Sequence, residues 1–253
     1  MPSFFARLKP TLYFFVFKLL LIGVAIAMLW LDIKVFHTDM LEISFTEITQ
    51  EAMLFACALL FWFAPTAGER PGFNYLTAGF FACLLMRELD GLFDPISHSA
   101  WCWPFLAIAV FAVVNALHAK RRPQTLRMLE SFVSTPVFAT LSTGFAVLMF
   151  SRVFGMGSFW HEVLGAGYAR VAKTTVEEGV ELLAYSMWFA ASVEHYVQAR
   201  AERARATEAQ TSAGETPASI DAQRLHVVRS GAKLVTDTDT AQQSPQPRSH
   251  QGR

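Results

Sequence analysis

Six apolar runs recur through the first 200 residues of this chain, near 12–31, 46–64, 73–93, 101–118, 133–152 and 175–193. A helix needs roughly 20 residues to cross the hydrocarbon of a bilayer. Inside that hydrocarbon each segment must satisfy its own backbone N–H and C=O groups, which leaves helices and closed barrels as the only spanning structures. Runs of this length therefore point to an all-α, polytopic integral membrane protein with a six-helix transmembrane bundle over residues 1–200. Composition agrees: 53% of the 253 residues are hydrophobic, 17% are charged, and Phe occurs 23 times. A soluble domain of this size cannot hide so much apolar surface. Secreted disulfide scaffolds, coiled coils, basic nucleic-acid binders and wholly disordered chains are excluded on the same grounds.

The breaks between runs are chemically ordered. Pro65 and Gly68-Glu69-Arg70-Pro71-Gly72 make a turn between the second and third helices, and Asp94-Pro95 is expected to end the third. Lys120-Arg121-Arg122-Pro123 ends the fourth. The first run follows Arg7 and Lys9 and is longer than the apolar part of a typical signal peptide, so it reads as an uncleaved first helix. From about residue 201 the chain turns to Ala, Gln, Ser, Thr and Arg, which reads as a disordered cytoplasmic tail over 201–253. Leu225 to Val235 is its one stretch suited to docking on a cytoplasmic partner.

Lys and Arg in short loops set orientation. With the N-terminus inside, Arg7, Lys9, Lys18, Arg70, Lys120, Arg121, Arg122, Arg127 and Arg200 fall on the cytoplasmic side. Lys34, Arg87, Arg152, Arg170 and Lys173 fall outside. Six helices then place both termini in the cytoplasm, and the short loops suggest a bacterial inner membrane. The expected partners are membrane lipid and, to enclose a pathway, further copies of the chain; nucleic acid is not among them.

Acids are distributed the other way, and helix length makes them informative. The charge-free part of the second helix, Ala52 to Ala64, is 13 residues, or about 20 Å against a hydrocarbon core of about 30 Å. Phe73 to Met86 and Leu182 to Val193 fall short in the same way. To span, the second helix must carry Glu51 and Glu47 into the membrane. The third must carry Arg87, Glu88 and Asp90, and the sixth Glu181, with Glu178 and Glu177 above it. Each isolated charge there costs at least about 2.5–3.5 kcal/mol, so the acids should face the bundle interior.

Spacing favours convergence. Glu47 and Glu51 are i and i+4, as are Glu177 and Glu181, while Arg87, Asp90 and Asp94 follow an i, i+3, i+7 pattern. Three acidic stripes then meet at similar depth, with Glu51, Asp90 and Glu181 as primary carboxylates and Arg87 as internal countercharge. Such groups suit proton carriage, cation binding or metal ligation. Glu51, Asp90, Glu181, His98 and His161 are the candidate ligands of a divalent cation. No other cofactor is expected: the chain has no HExxH, no GxxxxGK[ST] and no complete dinucleotide loop around Gly165-Ala166-Gly167. Cys57, Cys83 and Cys102 form no CxxC and read as core or lipid-facing residues.

Three functions fit this pattern. The favoured one is a small inner-membrane transporter or permeation module with an outer-side acidic site for a proton, a cation or a cationic solute. The second is a membrane enzyme that uses a carboxylate-bound metal on lipid head groups at the outer leaflet. The third is a structural or signalling anchor that displays the tail.

Overall fold

The computed structural model describes residues 4–36, 44–66, 69–165 and 170–214. The regular structure among the described residues is all helical, without strands. The chain forms α1 (Phe4–Leu31), α2 (Phe45–Trp62), α3 (Gly72–Glu88), α4 (Asp90–Phe93), α5 (Cys102–Leu117), α6 (Arg122–Val133), α7 (Pro136–Phe154), α8 (Gly157–Leu164) and α9 (Arg170–Gly214). A π-helical turn over Asp32–Phe36 follows α1 directly. Two units divide the chain, Met1–Arg203 and Ala204–Arg253. The first holds all the packing described below; of the second, the described part is helical to Gly214.

Two stretches are long and apolar enough to cross a membrane, Lys9–Lys34 and Pro136–Phe154. The pair α5 and α6 qualifies only as one bent span, with 101° between its halves. Six spans are thus more than length and composition establish. The shortfall has a plain cause: α2 carries Glu47 and Glu51, α3 has 17 residues, and α9 carries a run of glutamates.

Other departures from the sequence reading are local. The third helix was expected to reach residue 93, but it ends at Glu88; Leu89, at φ −80° and ψ 14°, leaves helical geometry before the short α4. The fifth was expected from residue 133, yet α6 precedes it as a separate helix. Its sequence RPQTLRMLESFV opens with Pro in the first turn, where the ring costs no hydrogen bond, and repeats apolar residues at helical spacing. The tail expected from 201 remains helical to Gly214, because Ala, Glu, Arg and Gln are strong helix formers. The rest of that tail, with Leu225 to Val235, lies outside the described residues.

The core is aromatic. Phe61 of α2 stacks on Phe81 of α3 at 5.6 Å between centroids and meets Phe132 of α6 edge-on at 6.4 Å. Trp188 of α9 lies edge-on to Phe81 at 5.7 Å, and its indole N–H donates to Leu141 O of α7 at 2.8 Å. Small residues let these helices approach. A Cβ on Gly144 would lie 2.7 Å from Trp188 Nε1, and one on Gly79 would lie 2.4 Å from Ala112 Cβ of α5. Cys57 and Cys83 are buried and unpaired. The apolar side chains of α1 point mostly outward, including Tyr13, Leu20 and Trp30.

Asp32 ties the π-helical turn to the start of α2. Its carboxylate accepts from Phe45 N (2.9 Å), Thr46 N (2.8 Å) and the Thr46 hydroxyl (2.6 Å). Ser44 Oγ accepts from Glu47 N at 3.1 Å, in a Ser-x-x-Glu sequence of capping-box type. Together they satisfy donors that a helix start leaves open. Asp32→Ala orphans these buried donors and should lower stability by about 1–3 kcal/mol. Thermal unfolding of the purified protein in detergent checks this, with Lys34→Ala as the neutral control.

Candidate functional site

Five glutamates gather beside the N-terminal half of α9. Glu47 and Glu51 come from the first two turns of α2, Glu88 from the last turn of α3, and Glu178 and Glu181 from α9. They lie close enough to feel one another's charge across the three helices. The i, i+4 spacing puts Glu47 and Glu51 on one side of α2; the i, i+3 spacing does the same for Glu178 and Glu181 on α9.

Three members of the group are held by side chains of neighbouring elements. Glu181 is the deepest, its side chain 5% exposed, and pairs through Oε1 with the Arg152 guanidinium at the end of α7. Ser151 Oγ donates to the same oxygen at 3.2 Å. Tyr185, one turn further along α9, donates its hydroxyl to Glu88 Oε1 at 2.8 Å. Gln50 reaches across from α2: its Nε2 donates to Glu178 Oε2 at 3.0 Å and to Glu178 O at 3.1 Å. Both partners are acceptors, so the amide must present nitrogen to α9. Its Oε1 is then left fully buried with no hydrogen-bond partner among the described residues. A buried acceptor without a donor is uncommon and calls for a ligand, a proton or a water.

Arg87, Asp90, Asp94, His98 and His161 sit elsewhere, whereas Glu177 borders the group, near enough to Glu178 and Glu181 to feel their charge. Asp90 pairs with Arg87 at 3.7 Å on the surface, both side chains more than 40% exposed. Asp94 binds His98 Nδ1 at 2.9 Å, with the imidazole almost fully in solvent. Glu177 pairs with Lys173 at 3.8 Å along α9. His161 is exposed on α8. The helix break at Leu89 explains the difference at α3: residues beyond it no longer follow the rotation that carries Glu88 inward. The countercharge inside the group is Arg152, not Arg87. Among the described residues no three His, Cys, Asp or Glu side chains come together to hold a metal ion. Ser151, Gln50 and Tyr185 were not singled out as partners of particular acids; Gln50 and Tyr185 carried a signal, a polar residue within one turn of an acid on its own helix, whereas Ser151 stands on α7, which has no acid.

The group is electrostatically incomplete. Five carboxylates share one arginine, with the Glu177–Lys173 pair at their edge adding no net charge, in surroundings where water screens weakly. A proton or a small cation placed among them lowers their mutual repulsion, and Gln50 Oε1 offers it a neutral ligand. No protein-family model, curated protein or solved structure matches the chain.

Removing Arg152 strands the buried Glu181. Arg152→Met should cost about 1–3 kcal/mol, less than the full buried-pair penalty because the guanidinium is 40% exposed. Glu181→Gln should cost less, and the double variant should recover part of the loss. Denaturation in detergent of the four proteins of this cycle measures it.

Proposed function

We propose that residues 1–200 form a six-helix bundle in a bacterial cytoplasmic membrane, with both termini in the cytoplasm. We infer that it works as a small transporter or permeation module whose outer-side glutamates take up a proton or a small cation. Two helices long and apolar enough to span support the membrane reading, as do the outward-facing apolar side chains of α1. In this reading α2, α3 and α9 also span, and their acids are tolerated because they face one another instead of lipid.

One observation carries the functional reading: five glutamates from three helices around one arginine, with the buried Gln50 oxygen unpartnered between them. A purely structural network balances its charges, as Arg87 and Asp90 do on the surface. This group does not. Intramembrane carboxylates facing a bundle interior are the usual carriers of protons and cations. Glu51 and Glu181 are assigned the ligand role. Arg152 holds or releases Glu181, and Tyr185 positions Glu88. The aromatic layer of Phe61, Phe81 and Trp188 bars free leakage on the far side of the group.

The test is flux in liposomes reconstituted with the purified protein. With a pH gradient imposed and a trapped pH dye as readout, the wild-type protein should dissipate the gradient. In a parallel arm, a potential-sensitive dye reports Na⁺ or K⁺ movement. Glu51→Gln and Glu181→Gln should each abolish the flux, whichever arm shows it, while the protein still inserts. Wild-type rates in both variants reject the assignment.

A further inference from the structure

Two adjoining cavities open along α9 beyond the glutamates, one reaching Trp188 about 10–15 Å away and the other reaching His195 to Glu202 about 20–35 Å away, counting 1.5 Å per residue. The first, of 360 Å³, is part polar: Gln124 and Arg127 of α6 and His195, Gln198 and Glu202 of α9 line it together with Met128 and aromatic side chains. The second, of 460 Å³, runs between α3, α6, α7 and α9 and is almost wholly apolar, with Leu76, Phe80, Phe145 and Trp188 in its walls. Phe73 and Phe132 line both, so the polar space leads directly into the apolar one. Each volume falls in the range of small-ligand pockets, about 300–1,000 Å³.

The polar space carries two opposite charges that do not satisfy each other. Arg127 uses Nε–H on Pro123 O at 3.2 Å, which leaves its terminal nitrogens free. Among the described residues neither Arg127 nor Glu202 has an ion-pair partner. His195 lies flat on Phe61 at 4.9 Å and edge-on to Phe132 at 5.5 Å, and its ring nitrogens make no hydrogen bond among the described residues. The setting adds depth. α6 turns 101° away from α5, so where α5 crosses a membrane α6 lies along its surface. Its amphipathic sequence suits that position, with Leu126, Leu129 and Val133 exposed beside arginines. Arg127 then sits at the level of the lipid head groups, and the apolar cavity at the level of the acyl chains.

We propose that these joined cavities are a binding site for one glycerophospholipid with a phosphoethanolamine head. Its phosphate meets Arg127, its primary ammonium meets Glu202, and one acyl chain fills the groove between Phe80 and Phe145. Charge selects this head group. Glu202 repels a head group that is only anionic, and a quaternary ammonium has no N–H to give its carboxylate. The proposal rests on the membrane-spanning reading and is independent of the glutamate site.

Native mass spectrometry of the full chain in mild detergent, titrated separately with phosphatidylethanolamine, phosphatidylcholine and phosphatidylglycerol, tests it. One phosphatidylethanolamine per chain should be retained in preference to the other two. Arg127→Gln and Glu202→Gln should each weaken its binding about three- to fivefold, the scale of one exposed ion pair. Ser142→Trp, which fills the groove, should abolish retention, whereas Glu181→Gln should leave it intact. Equal retention of the three lipids, unchanged affinity in both charge variants, or a second copy of the chain in place of lipid overturns the site. Protein that fails to float with lipid vesicles overturns the membrane reading itself; inserted protein without lipid preference overturns only this site.

Discussion

A carboxylate withdrawn from water must be answered within a few ångströms, and the pairing of Glu181 with Arg152 is where this chain meets that demand most acutely. The contact joins α7 to α9, two helices that also approach closely at Trp188 against Gly144 and at Glu177 against Gly155. It also sets the rotation of α9. With Glu181 turned toward α7, Glu178 is turned toward Gln50 of α2 and Tyr185 toward Glu88 of α3. One ion pair and four hydrogen bonds thus orient a single helix against three neighbours.

The interior below this group is of another kind. Phe61, Phe73, Phe81, Phe132 and Trp188 fill it with edge-to-face and stacked contacts and little hydrogen bonding. Aromatic pairs add a modest geometric preference to their burial, so the layer is both dry and specific in shape. Polar chemistry is confined to its two sides, the glutamates on one and the His195 cavity on the other.

Much of the acidic group was legible from spacing. Helical repeats of three and four residues place Glu47 with Glu51 and Glu178 with Glu181, and short charge-free stretches draw attention to all four. Glu88 was among the candidates as well, but as a neighbour of Asp90 and not as a primary carboxylate; the one member not legible was Arg152. Glu88 takes the place expected of Asp90 because α3 unwinds at Leu89, an event set by local backbone geometry. Arg152 takes the place expected of Arg87 because α7 ends against α9, although 29 residues separate it from Glu181. Spacing along one helix says which residues share a face; it is silent on which face of another helix they meet. α6 was missed for a related reason: its charged face masked a periodic apolar one, so a search for apolar runs passed over it.

What the sequence determined by itself is helical class and local grouping. Both follow from interactions a few residues long: backbone hydrogen bonds within one turn, apolar periodicity, and prolines and caps at the ends. What only the tertiary structure decided is the partner of each buried charge, the unsatisfied oxygen of Gln50, and the meeting of a polar cavity with an apolar groove at Phe73 and Phe132. Those depend on the rotation and depth of helices distant in sequence, which are set by side-chain packing between them and leave no periodic trace along the chain.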